Sequence, residues 1–102
     1  MESPGLVACT LSDTDRKSQR ERWLALGETF GLGREETEDG LRLGFRSDPA
    51  ARAELEALVA IESRCCSWAA WNVEDEGDTV VVAVRSEGPG VSALHGMFTQ
   101  LA

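Results

Sequence analysis

The chain has 102 residues, 42% of them hydrophobic and 27% charged, with ten glycines and three prolines. That is the size of a single domain, residues 1–102, with the composition of a folded globular protein rather than a disordered one. Ten Lys and Arg against eighteen Asp and Glu give a net charge of −8, a surface that repels nucleic-acid phosphates and disfavours nucleic acid as a partner.

No apolar run approaches the roughly 18 residues a membrane span needs, so no membrane association is expected. Met1-Glu2-Ser3-Pro4 lacks the basic start and apolar stretch of a secretory leader, which makes the cytoplasm the expected location. The three cysteines, Cys9, Cys65 and Cys66, are odd in number and two are neighbours. This is not the even, spaced set of a disulfide-stapled secreted domain. The expected states are thiols or metal ligands.

In chain order, Leu6 to Leu11 is a short apolar run with Val and Thr, the pattern of a buried strand. Ser12-Asp13-Thr14-Asp15 offers a helix cap with an acid three residues after Ser12. A helix is predicted from about Asp13 to Phe30, with Trp23, Leu26 and Phe30 on one face and Gly31 and Gly33 ending it. Arg34 to Glu38 and Leu41 to Arg46 flank Asp39-Gly40, a two-residue hairpin signal. In the second of these strands Leu41, Leu43 and Phe45 alternate inward, and Arg42, Gly44 and Arg46 outward.

Ser47-Asp48-Pro49 starts a second helix, with proline near its first position, running to about Cys66. Trp68 to Glu74 and Thr79 to Arg85 make another hairpin across Glu76-Gly77-Asp78, and Gly88-Pro89-Gly90 precedes a last helix, Val91 to Leu101. No sequence repeat or linker interrupts the series. The predicted order is β-α-β-β-α-β-β-α, an α+β sandwich. Its first six elements match the ferredoxin-like (split β-α-β) arrangement, with an added strand and a C-terminal helix.

Function is most legible in the second helix. At about 100° per residue, Ala51, Leu55, Leu58 and Val59 form an apolar stripe, and its extension reaches Glu62 with Cys65 and Cys66 on either side. Glu56 and Arg64 fall on the outer face. A carboxylate in an apolar stripe is costly unless it is paired, protonated or bound to a metal. If the split β-α-β order holds, the end of this helix meets the sheet edge that carries Cys9, Thr10 and the start of the first helix. Arg16 is then the expected partner of Glu62, with Arg20 or Arg64 as substitutes, and Trp68 is expected to close the site.

Each of these residues also has a plainer reading. A cysteine in an apolar strand commonly just packs, Glu62 near a helix end can reach solvent, and Trp68 and Trp71 can be core. His95 sits at the margin of the Val91, Leu94, Phe98, Leu101 stripe, where a structural or exposed role is the ordinary one. The pattern contains no CxxC pair and no glycine-rich phosphate loop, and the Gly88-Pro89-Gly90 turn lacks a lysine.

The stretch Leu58-Val59-Ala60-Ile61-Glu62-Ser63-Arg64-Cys65-Cys66, followed by a strand with Trp68 and Trp71, resembles a group of small, largely uncharacterised bacterial proteins marked by Leu-Val-x-x-Glu-x-x-Cys-Cys. A similar Glu-x-x-Cys-Cys segment is appended to some MerR-like, metal-responsive regulators. The likeness spans about residues 6 to 100, but its sharp part is Glu62, Cys65 and Cys66. Those proteins usually carry Pro and Phe after the cysteine pair, where this chain has Ser67 and Trp68. The 102 residues hold no DNA-binding module ahead of the segment, so a regulator role is not expected to carry over. The resemblance implies a thiol-centred ligand or metal site.

Three functions compete on this reading. One is a binding protein for a soft metal or metalloid ion (zinc, copper(I) or a mercury-like ion) held by Glu62, Cys65, Cys66 and Cys9, with Arg16, Arg20, Trp68, Thr10 and His95 around it. Adjacent cysteines rarely both chelate one small ion in ideal tetrahedral geometry, so Cys9, Glu62 or a second subunit is expected to help. The second is a small enzyme or small-molecule binder using Cys65 or Cys66 as a reactive thiol, a role that the negative end of a helix dipole disfavours. The third is an interaction module whose cysteines only pack. The strand Thr79 to Arg85, apolar on both faces, is expected at the sheet edge, covered by the last helix and by a second copy of the chain in a homo-oligomer, most simply a dimer.

Overall fold

A computed structural model describes residues 13–98. Over that range the order is α1 (Asp13–Phe30), β1 (Gly31–Thr37), β2 (Gly40–Arg46), α2 (Pro49–Cys65), β3 (Ala70–Glu76), β4 (Thr79–Arg85) and α3 (Pro89–Gly96). This is the α+β, ferredoxin-like sandwich expected, with a four-stranded antiparallel sheet in the order β1-β2-β4-β3. The strand predicted at Leu6 to Leu11 lies outside the described residues, and the last helix, predicted over Val91 to Leu101, begins at Pro89 and already ends at Gly96, where Met97 caps it with its N–H on the Leu94 carbonyl.

Local chemistry accounts for the boundaries. Asp48, extended at φ −156° and ψ 137°, caps α2 by accepting from the backbone N–H groups of Ala50 and Ala51, and Pro49 supplies the first helical φ. The β3–β4 turn is Gly77-Asp78, where Gly77 takes the left-handed φ of 69°. The β1–β2 turn is Glu38-Asp39, one residue earlier than the Asp-Gly dipeptide indicates. Gly40 belongs to β2 instead, because a Cβ there would lie 1.8 Å from the Val84 carbonyl oxygen. Its lack of a side chain serves close strand approach rather than turn geometry.

One face of the sheet carries the core. Leu41, Leu43 and Phe45 of β2 and Val80, Val82 and Val84 of β4 are nearly solvent-free, and they meet Trp23 and Leu26 of α1, Ala51, Leu55, Leu58 and Val59 of α2, and Leu94 of α3. All three helices therefore cover the same face. Antiparallel sheets commonly solvate the other face, and here β2 presents Arg42, Gly44 and Arg46 there as predicted.

The expected edge position of the Thr79 to Arg85 strand is overturned. β4 is interior, hydrogen-bonded to β2 on one side and β3 on the other. Its central place explains the Val-rich run, and the premise that an open apolar edge requires a second copy is removed. The outer face of β4 is covered from within the chain. Arg42 reaches across it from β2 to Glu74 (3.7 Å) and Glu76 (2.6 Å) on β3, and Val81 and Ala83 below are buried.

The architecture is duplicated although the sequence is not. A helix followed by a hairpin occurs twice, and the two units meet at β2 and β4 around the Leu43–Val82 pair. The helices of the two units pack side by side in opposite senses: Gln19 reaches Leu58 and Glu62, while Arg22 reaches back to Glu54. Among the described residues no helix is long and apolar enough to cross a membrane.

Candidate metal centre

Glu62, Cys65 and Cys66 come together at the end of α2, all three buried (3–5% exposed). Helical spacing places Glu62 and Cys65 on one face, since residues three apart are neighbours. Cys66 joins them because the helix ends there. It is the C-cap, with φ −120° and ψ 59°, its N–H still bonded to the Glu62 carbonyl at 2.7 Å. That turn swings the second thiol inward beside the first. The two adjacent side chains converge on one carboxylate oxygen, so Glu62 and the cysteine pair come together as expected.

The distances are nearly equal. Cys65 Sγ and Cys66 Sγ are each 3.8 Å from Glu62 Oε1, and the two sulfurs are 3.5 Å apart. At that separation the two sulfurs are not bonded to each other. The other carboxylate oxygen, Oε2, accepts from Trp23 Nε1 at 2.8 Å and Gln19 Nε2 at 3.1 Å, both on α1. A carboxylate is acceptor-only, with about four lone-pair sites. Four donors face it, so the buried group is fully hydrogen-bonded without a cation.

This differs from the expected pairing with arginine. Arg16 and Arg20 are exposed on α1, and Arg64 is exposed on α2. Gln19 and Trp23, further along the buried face of α1, take the place assigned to Arg16. Gln19 also donates to the Leu58 carbonyl at 3.3 Å, which fixes its amide. The sequence carries a signal for this: Gln19 continues the Trp23, Leu26, Phe30 face by one turn, so a polar group interrupts the stripe of α1 as Glu62 interrupts that of α2.

The aromatic wall also differs. Trp68 packs elsewhere, its ring against Gly90 and its carbonyl bonded to Ser86 Oγ at 2.9 Å, lining a surface groove with Ser67, Arg85 and Glu87. Trp71 stands at the site instead, its Nε1 donating to the Cys66 carbonyl at 3.4 Å. Phe98 stacks edge-on against both tryptophans, with ring centroids 4.9 Å from Trp23 and 6.2 Å from Trp71. His95 bonds to the far hairpin: its Nε2 donates to the Thr37 carbonyl at 2.9 Å, and its Nδ1 lies 3.9 Å from Glu36. Cys9 and Thr10 lie outside the described residues.

The Glu62, Cys65 and Cys66 group could hold a metal ion, one ligand atom from each residue lying within 4.8 Å of the others. No protein-family model matches the chain, and no curated protein or solved structure matches it either.

Proposed function

We propose that this chain is a binding protein for a divalent thiophilic ion, zinc by its geometry, held by Cys65, Cys66 and Glu62. The observation that carries the reading is the near-equilateral triangle of ligand atoms, with edges of 3.5, 3.8 and 3.8 Å. In a tetrahedral zinc site, bonds of about 2.3 Å to sulfur and about 2.0 Å to oxygen put ligand atoms about 3.8 Å apart for a sulfur pair and about 3.5 Å for sulfur and oxygen. Each edge of the triangle lies within about 0.3 Å of its counterpart on a face of such a tetrahedron, the sulfur edge short and the two sulfur–oxygen edges long, and the fourth position is left for water or a further ligand. A linear two-thiolate ion, the preference of copper(I) and mercury-like ions, would need its sulfurs about 4.6 Å apart with the same bond length.

Charge supports a divalent ion. Metal binding requires thiolates and releases protons. Exchanging two thiol protons for one divalent ion leaves the charge of the buried cluster unchanged, so no additional buried charge has to be desolvated. Glu62 Oε2 keeps its bonds to Trp23 and Gln19 while Oε1 turns to the ion, the outer support that ligating carboxylates typically have.

The test is metal analysis of protein purified without an affinity tag, followed by zinc titration of the apo form. The expected result is about one zinc per chain, two protons released per ion, and loss of both in Cys65→Ser and Cys66→Ser. Cys9→Ser distinguishes a three-residue site, which keeps its zinc, from one in which Cys9 supplies the fourth ligand. Zinc that neither binds nor slows alkylation of the two thiols overturns the reading.

A further inference from the structure

We infer that the same thiol pair captures monosubstituted trivalent arsenicals, R–As(OH)2 with an organic R group, as a cyclic dithioarsenite seated against the Trp23–Phe98–Trp71 wall. The inference rests on the ion reading's pair of thiols and names a second class of ligand for them.

Three observations carry it. The first is angle. Sulfurs 3.5 Å apart, joined to a common centre by bonds of about 2.3 Å, subtend about 99° there. Trivalent arsenic, with a lone pair at one corner, is a shallow pyramid with bond angles close to this. The second is completeness. Tetrahedral zinc needs a fourth ligand beyond Cys65, Cys66 and Glu62, whereas arsenic carrying one organic group is satisfied by two sulfurs. The third is the wall. Trp23 is bonded to Glu62, Trp71 is bonded to the Cys66 carbonyl, and Phe98 packs edge-on against both, so an aromatic cluster is anchored on the carboxylate and on the backbone that carry the site. Such a surface favours an apolar substituent over the hydroxyl of inorganic arsenite.

The reaction balances without any change of oxidation state. Two As–O bonds break and two As–S bonds form, and each thiol proton leaves on a hydroxide oxygen as water, two waters in all. Bridging both sulfurs makes release of the arsenical to a monothiol unfavourable, because a second arsenic–sulfur bond holds the first in place.

The probe is phenylarsine oxide, which hydrates to the dihydroxy form. Added in equimolar amount to the reduced, metal-free full chain, it is expected to give one phenylarsenic unit per chain by intact mass. The adduct should map to the peptide containing Cys65 and Cys66, survive excess glutathione and be removed by a small dithiol. Cys65→Ser and Cys66→Ser, checked for folding by circular dichroism, should lose at least 100-fold in retention against glutathione, while Cys9→Ser keeps it. Phe98→Ala should weaken phenylarsine oxide about tenfold and leave inorganic arsenite unchanged.

An adduct that glutathione strips from the folded wild type overturns the inference, and so does one that maps to Cys9. Equal affinity for phenylarsine oxide and arsenite in the wild type overturns the role of the wall. The wild-type measurements decide the matter even where a variant does not fold. Zinc loading without a stable adduct removes this inference alone; an adduct without zinc binding removes the ion reading and leaves this one standing.

Discussion

Replacing Glu62 by leucine should destabilise the apo protein, whereas replacing it by glutamine should not. Leucine fills the same volume, so the cost is one of unmet donors rather than of a cavity. Of the four donors on the carboxylate, the two thiols are weak, and Gln19 keeps the Leu58 carbonyl as a second acceptor. The loss concentrates on Trp23 Nε1, in a side chain only 2% exposed whose bond to Glu62 is 2.8 Å. One orphaned buried donor costs about 1–3 kcal/mol. With a urea dependence of about 1–3 kcal/mol per molar for a small domain, the midpoint should fall by about 1 M. Glutamine can keep its oxygen toward Trp23 and Gln19 and turn its amide nitrogen to the sulfurs, so Glu62→Gln should stay within about 1 kcal/mol of wild type. Both are measured by urea unfolding with a chelator present, so that ion binding does not add to stability. A Glu62→Leu midpoint at or above that of wild type would refute the claim that this network holds α1 on α2.

Further outcomes follow from features away from the site. Arg22 grips Glu54 with two bonds, 3.0 and 2.8 Å, and that hydrogen bonding holds the Glu54 carboxyl below its ordinary value of 4.5. The pair's contribution is therefore present above pH 4.5 and lost as pH falls through the lower folded value. Because both side chains are more than a third exposed, Glu54→Gln should cost at most about 1 kcal/mol at pH 7, with the gap to wild type closing in acid unfolding curves. Gly40→Ala forces the β2 and β4 backbones apart and should cost about 1–3 kcal/mol by thermal unfolding. Asp48→Ala removes the α2 cap and should cost about 1 kcal/mol, while Asp48→Asn, which also caps, should cost less.

The elements were legible because their signals are local. The stripe and the Gly31 stop place α1 at Asp13–Phe30, and Asp48-Pro49 marks the start of α2. The carboxylate in the stripe of α2, followed by two cysteines, marks the site, since both residue types stand where packing alone would put leucine. What was not legible depends on pairing at a distance. An unbroken apolar run shows that Thr79 to Arg85 is buried on both faces, but a sheet interior and a covered edge look alike in one strand. The choice was settled by the pairing of β4 with β2. A buried acid invites a cation as its partner, which is why the arginines stand out in the sequence. Neutral donors suffice when four of them converge, and only the approach of α1 to α2 shows that they do. Trp71 rather than Trp68 faces the site because β3 begins at Ala70, which sets the parity of every side chain after it.

The two halves of the molecule differ in how helix passes to strand. In the first, Phe30 is followed at once by Gly31 of β1, a handover so tight that a Cβ at Gly31 would lie 2.4 Å from the Gly27 carbonyl oxygen. In the second, residues 66–69 intervene between α2 and β3. The first junction has no room to vary. The second has spare chain, and its first residue is the inward-turning Cys66. A duplicated framework with one tight corner and one longer corner divides labour: changes in length or composition at residues 67–69 can alter the surroundings of Cys66 while the strand register set by the other half stays in place. That corner is where selection, or an engineer, can change the neighbourhood of the thiol pair without rebuilding the fold.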